Sequence, residues 1–193
     1  MSSSPPSGTL LLIRHGRTAD NAAGLILGHR DPPLSEAGRA EAERLAMELR
    51  SSGIAAVWTS PLRRARETAA IIAAPLALEP RVCAKLVESA RGRWEGVAVA
   101  RIAREEPALH AAFERGDPEF AFPGGESLHE QQARTRAALA VIAAGPLPAA
   151  VVAHAGTIRA AFALSGRPVG PERALEHGAV AARLRVADLH LGA

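Results

Sequence analysis

Two short runs of branched aliphatic residues, each ending on a histidine, constrain this chain more than any other feature. Leu10-Leu11-Leu12-Ile13 leads into Arg14-His15-Gly16, and Val151-Val152-Ala153 leads into His154-Ala155-Gly156. An uninterrupted run of this kind bounded by glycine suits a central parallel strand covered on both faces. Open α/β sheets bind ligands outside the carboxyl ends of such strands. If the two strands are parallel neighbours, both imidazoles face one crevice and Arg14 supplies positive charge for an anion.

Strand and helix candidates alternate along the first half, which is the pattern of a parallel sheet flanked by helices. A helix is expected from Ser35, a good N-cap, with Ala42, Leu45, Ala46 and Leu49 on its core face and Gly53 at its end. Ala55 to Thr59 reads as a strand. Ser60-Pro61 then reads as the cap and first position of a helix that buries Leu62, Ala65, Ala69 and Ile72 and stops at Pro75. An edge strand is expected around residues 82–87, with short helices at 97–105 and 108–115. Ser127 and Glu130 form a capping box that opens a long helix to Ala144, followed by a helix over 157–164 and a last strand near 180–186. The expected fold is a three-layer α/β/α sandwich with a mostly parallel central sheet. Residues 1–8 read as a flexible tail, 9–193 as a single domain, and 91–126, where periodicity weakens, as a cover over the crevice.

Composition narrows the classes of partner. An apolar content of 48% with 22% charged residues belongs to a globular chain, not a disordered one. The net charge of +3 rests on arginine, because Lys85 is the only lysine. Acidic residues are interleaved throughout and there is no basic block with stacking aromatics, so no nucleic-acid partner is expected. Arginine is instead suited to bidentate contact with phosphate. Cys83 stands alone, which precludes an internal disulfide. The opening lacks the charged start and apolar core of a signal peptide, and no stretch approaches the roughly 20 apolar residues of a membrane span. A cytoplasmic protein with no membrane partner is expected. The seven histidines include no His-x-x-x-His pair, and no glycine-rich nucleotide fingerprint occurs, so neither a metal nor a cofactor is expected.

Four positions carry chemistry on their residue types alone. His15 lies beside Arg14 and is followed by Gly16, Thr18 and Asn21. A neutral imidazole there can attack phosphorus and split one hard displacement into two easier ones, although a histidine ending a strand also serves a purely structural hydrogen bond. Arg64 falls in the first turn of a helix, where dipole and guanidinium both favour an anion, and Arg63 and Arg66 compete for that role. Glu88 precedes Gly92 and Trp94-Glu95-Gly96; a dry cleft disfavours its charged form and suits it to proton donation, while neighbouring arginines oppose that shift. His154 opens a turn into a helix, where free N–H groups and its ring can steady a transferring anion.

Taken together, these residues resemble the histidine phosphatase superfamily, the phosphoglycerate mutase-like proteins. Arg14 to Asn21 matches the Arg-His-Gly-x-Thr-x-x-Asn signature, and Gly28 to Gly38 resembles the block that follows it. Ser60 to Ala69 resembles the Ser-x-Leu-x-Arg-Ala-x-x-Thr-Ala block, which selects Arg64. Glu88 with Trp94-Glu95-Gly96, and His154-Ala155-Gly156, resemble the acid-bearing and second-histidine blocks. The resemblance implies that His15 is the nucleophile, that Glu88 is the proton donor, and that Arg14, Arg64 and His154 hold the phosphoryl group. It places substrate contacts at Thr18, Asn21, Gly28, His29 and Ala155. Ala155 stands where the family often has glycine, and His29 where small or amide residues are frequent. The interval from Glu88 to His154 is short beside that of dedicated mutases, which implies hydrolysis of a phosphomonoester of a small metabolite. Pro123 to Ser127 resembles a segment of small phosphatases such as α-ribazole phosphatase. A mutase-type isomerase and a non-catalytic phospho-ligand module are the alternatives, and both a monomer and a homodimer are compatible with the sequence.

Overall fold

The computed structural model describes residues 6–192; residues 1–5 of the expected tail lie outside the described residues. Five strands form one sheet in the order β3-β2-β4-β1-β5: β1 (Thr9–Arg14), β2 (Ala56–Thr59), β3 (Arg81–Val82), β4 (Ala149–Ala153) and β5 (Ala179–Arg185). The first four are mutually parallel, and β5 closes one edge antiparallel to β1. The two apolar runs are thus neighbours in register, with Ile13 opposite Val152 and Arg14 opposite Ala153. The His15 N–H continues the ladder, donating to the Ala153 carbonyl at 3.0 Å. Both histidines therefore leave the sheet at the same end.

Side chains alternate across β1, and each set meets a different helical layer. Leu10 and Leu12 pack with Leu139 and Ile142 of α6 (Leu128–Ala143) and Ile158 and Ala161 of α7 (Ala155–Leu164). Leu11 and Ile13 pack with Leu45 and Leu49 of α2 (Glu36–Leu49) and Ala69 and Ile72 of α3 (Arg63–Ala73). Two covered faces explain why the strand lacks polar alternation. Each large aliphatic side chain taken out of water there contributes about 1.5–3 kcal/mol. The scarce aromatics gather elsewhere: Trp94, Phe113, Phe120 and Phe122 form a separate cluster with Ile26 and Ile102. That cluster ties α4 (Val99–Glu105) and α5 (Pro107–Arg115) beside the carboxyl end of the sheet. The remaining helix, α1 (Ala19–Ala22), is a single turn after the His15 loop.

Three local expectations need correction. The edge strand over 82–87 shrinks to Arg81–Val82, because Ala84–Leu86 coil into a 3-10 turn that buries Leu86 and aims Glu88 inward. Helix α3 starts at Arg63 and is not capped by Ser60; the Arg63 N–H donates instead to the Asp31 carboxylate, borrowed from the loop before α2. Helix α7 starts at Ala155, two residues before the expected Thr157, so that His154 is itself the N-cap residue. Among the described residues no helix is long and apolar enough to cross a membrane.

Candidate active site

The tautomer of His15 follows from its neighbours. Its Nδ1 lies 2.8 Å from the Gly16 carbonyl, which can only accept, so Nδ1 carries the proton and Nε2 keeps its lone pair. The Nε–H of Arg64 donates to that lone pair at 3.2 Å. Burial, then the charge of Arg64 and the neighbouring His154 and Arg14, hold the His15 pKa well below its usual value. A neutral imidazole with an outward lone pair is a nucleophile at neutral pH.

Arg64 is fully buried and its fork is locked by carbonyls. Nη1 donates to Arg30 at 2.7 Å and Nη2 to Gly28 at 3.0 Å, so the loop after α1 serves as a mould for the guanidinium. Arg63 turns away to pair with Glu67, and Arg66 faces solvent. One helical turn beyond Arg64, the Thr68 hydroxyl accepts the Gly16 N–H at 3.0 Å and donates to the Arg64 carbonyl at 2.8 Å. A single hydroxyl thus couples the nucleophile loop to the arginine helix. Arg14 spends Nη1 on the carbonyls of Glu172 and Leu175, at 3.1 and 2.6 Å, and its buried Nε has no partner.

His154 completes the hollow from β4. Its ring centroid lies 5.2 Å from that of His15. Nε2 pairs with the Ser60 hydroxyl at 2.7 Å, whereas Nδ1 is buried without a partner. Burial, then Arg64 and Arg91, lower its pKa well below the usual imidazole range.

Glu88 is buried between α6 and α7 and held by four donors. Oε1 accepts from the Ser89 N–H and from Gln131 Nε2, both at 2.9 Å. Oε2 accepts from the Gly156 N–H at 3.1 Å and from Arg91 Nη2 at 3.1 Å. Burial pushes its pKa up, but Arg91 and the two backbone N–H groups outweigh burial and leave it lowered to about 2. Of the two opposed effects expected at Glu88, desolvation and neighbouring arginine, the second prevails, and the group is a carboxylate. Gly156 makes the arrangement possible, since a Cβ there would sit 2.5 Å from both Gln131 Nε2 and Glu88 Oε1. Arg91 is sandwiched against Phe122 and Phe113, with ring centroids 4.5 and 5.3 Å from its Cζ, and the same Nη2 also holds Glu172 at 2.6 Å.

Of these groups Arg14, His15, Arg64 and Glu88 line a cavity of about 510 Å³, whereas His154 is fully buried beside His15 and is not on its wall. Of the expected substrate contacts, Asn21 and Ala155 line it. Thr18, Gly28 and His29 are not on its wall. Thr18 is buried as the N-cap of α1, exchanging hydrogen bonds with Asn21; Gly28 faces Arg64; and His29 Nε2 donates to the Glu88 carbonyl at 2.9 Å. Sequence reasoning gave no place in the site to Arg91, Gln131, Glu172, Ser60, Thr68 or His177. Only Ser60 and Thr68 sit in a motif that could have marked them. Among the described residues, no group of three or more His, Cys, Asp or Glu comes together as metal ligands. The arrangement presents a neutral nitrogen nucleophile, cationic side chains and a fixed carboxylate on the wall of one cavity.

Residues 10–187 match the model of the histidine phosphatase superfamily, branch 1. The bifunctional protein Rv2228c of Mycobacterium tuberculosis is 41% identical over 66% of this chain, a stretch that is only 35% of that relative's length. A glucosyl-3-phosphoglycerate phosphatase of the same species is 34% identical over 78% of this chain and 72% of its own. The solved structure of the mycobacterial enzyme of that name superposes with a TM-score of 0.75, covering 89% of this chain and 85% of the other at 34% identity. A putative α-ribazole-5'-P phosphatase from Escherichia coli superposes with a TM-score of 0.73 at 25% identity, covering 90% and 88%.

Proposed function

This chain belongs to the histidine phosphatase superfamily, branch 1, and we propose that it is a phosphomonoester hydrolase that acts on a small phosphorylated metabolite through a phosphohistidine at His15. The observation that carries this reading is the fixed tautomer: the Gly16 carbonyl accepts the Nδ1–H, which leaves Nε2 lone-paired in an arginine-walled hollow with the His154 ring 5.2 Å from that of His15.

In the first step Nε2 attacks phosphorus while the ester P–O bond breaks and its electron pair leaves on the alcohol oxygen. The Arg64 Nε–H leaves the Nε2 lone pair as that pair turns to phosphorus, and Arg14, Arg64 and His154 hold the peripheral oxygens. The leaving oxygen takes a proton from Glu88. That group is a carboxylate in the empty site, and the arrival of a phosphomonoester places like charge beside it, which raises its pKa and favours proton uptake with the substrate. In the second step Glu88, a carboxylate again, removes a proton from water as the oxygen attacks phosphorus. The N–P bond breaks, its pair returns to Nε2, and inorganic phosphate leaves.

Relatives named as phosphatases of glucosyl-3-phosphoglycerate and of α-ribazole phosphate support a small phosphorylated metabolite as substrate. Residues 91–126 act as the cover that selects it, because Val99, His110 and Phe113 reach the cavity wall from that segment. A relative named as a probable phosphoglycerate mutase, from Yersinia enterocolitica and 35% identical over 67% of this chain, favours the isomerase as the second reading. Assay of p-nitrophenyl phosphate with chelator present, and of 3-phosphoglycerate, separates them. The hydrolase releases phosphate from both and His15→Ala releases none; conversion to 2-phosphoglycerate establishes the isomerase. Phosphate binding without any turnover contradicts both.

A further inference from the structure

We propose that His177, which no motif marks, is a third imidazole of this site and donates from Nε2 to a peripheral oxygen of the bound phosphoryl group. The inference rests on the phosphoryl-transfer reading above and assigns a new binding residue to it.

His177 is held against the nucleophile by the backbone. The N–H of Gly178 is shared between the carbonyls of Arg14 and His15, at 3.0 and 3.2 Å, which pins the segment before β5 onto the end of β1. The His177 ring stands 5.6 Å from the His15 ring, steeply inclined at 65°, and lines the same cavity. Its Nε2 is buried with no partner among the described residues. Two histidines off the cavity wall each have a carbonyl for a ring nitrogen: His29 Nε2 has Glu88 at 2.9 Å, and His190 Nδ1 has Leu164 at 2.8 Å. Burying a ring nitrogen beside a nucleophile without such a bond is unfavourable unless a ligand completes it. Burial, then Arg14 and Arg17, keep this imidazole neutral by lowering its pKa to about 3. A neutral ring offers one N–H, and an anionic oxygen is the acceptor that suits a site walled by arginine. Arg14 Nε, from the same cavity wall, is likewise buried without a partner among the described residues.

The test is calorimetric binding of inorganic phosphate to the wild type and to His177→Ala, His177→Phe and His177→Gln, with thermal melting as a check on folding. Phenylalanine keeps the ring and loses the N–H, whereas glutamine returns an N–H near the Nε2 position. Loss of one hydrogen bond to a charged group is expected to weaken phosphate binding by about 10- to 100-fold in the Ala and Phe variants. Gln is expected to recover most of it, and KM for p-nitrophenyl phosphate is expected to follow the same order. In the wild type, phosphate titration is expected to shift the His177 Nε2 resonance, a readout that needs no variant. Phe binding phosphate as tightly as the wild type, Gln behaving no better than Phe, or an unmoved resonance overturns this inference while hydrolysis through His15 stands. A wild type that neither binds phosphate nor turns over p-nitrophenyl phosphate overturns both.

Discussion

The Arg64 guanidinium donates its Nε–H to the lone pair of His15 Nε2 across 3.2 Å. A nitrogen that accepts from a cation is unprotonated, so the resting site already holds the nucleophile in its reactive form. The same arginine is fixed by Gly28 and Arg30 and coupled to the His15 loop through Thr68. Position and charge at the reacting atom thus come from one side chain.

Arg64→Lys is expected to lower kcat by about 100- to 1,000-fold, the usual loss for one preorganised donor. A lysine keeps the charge but cannot span the Gly28 and Arg30 carbonyls while facing Nε2. Steady-state kinetics on p-nitrophenyl phosphate, with melting temperature as control, check this.

The role of Glu88 shows in its dependence on the leaving group. Glu88→Gln is expected to slow alkyl phosphates by about 100-fold or more, because their leaving oxygen needs the proton. Release of p-nitrophenolate, which needs little proton transfer, is expected to fall less in a single-turnover burst. Equal losses for both substrates contradict the assignment.

Removal of the Arg91 guanidinium withdraws the largest of the forces that lower the Glu88 pKa, so that pKa rises. For Arg91→Met the alkaline limb of the pH profile on an alkyl phosphate is expected to move upward by about 1–3 units, the size of effect for a lost adjacent opposite charge. The variant also leaves buried carboxylates uncompensated, and a loss of about 3–5 kcal/mol of stability is expected. Denaturant melts and pH–rate profiles measure the two effects separately.

Acid is expected to destabilise the empty protein in two stages. His15, His154 and His177 have lowered folded pKa values, so below the unfolded value of about 6.5 the unfolded chain binds more protons and stability falls with falling pH, by up to about 1.4 kcal/mol per pH unit for each ring. Glu88 adds stability that is fully present above the unfolded carboxyl pKa of about 4.3 and is lost as pH falls toward its folded value of about 2. Denaturant melts between pH 7.5 and 4 check the first stage, and a flat profile contradicts the buried neutral imidazoles.

Gly156→Ala is expected to cost activity more than fold. The added methyl meets Gln131 Nε2 and Glu88 Oε1 at 2.5 Å, so Glu88 must leave its four-donor cradle. Overpacking of this kind costs about 1–3 kcal/mol. Gly156→Ala is therefore expected to melt lower yet fold, with kcat on alkyl phosphates reduced in the manner of Glu88→Gln.

Much of the frame was legible because it is written in local patterns. The apolar runs of β1 and β4, the Ser35 and Ser127 caps, and the alanine face of α3 each specify one element, and the two strand-end histidines meet as their runs imply. The edge strand was misread because Ala84–Leu86 satisfy their backbone in a 3-10 turn that propensity does not distinguish from a short strand. Ser60 has the right type for a cap, but its hydroxyl pairs with His154, 94 positions away, and reaches only the Leu62 N–H, one residue ahead of the helix. Pairings that no local pattern records hid the rest. The state of Glu88 depends on Arg91, which is shared with Glu172, and His177 reaches the site only because β5 pairs with β1.

The central claim is a covalent one. The wild type mixed with excess p-nitrophenyl phosphate, quenched in alkali within the first turnover and mapped by peptide mass spectrometry, is predicted to carry one acid-labile phosphoryl group on His15, absent from His15→Ala. Turnover at the full rate in His15→Ala, or a quenched enzyme with phosphate on another residue or on none, contradicts it.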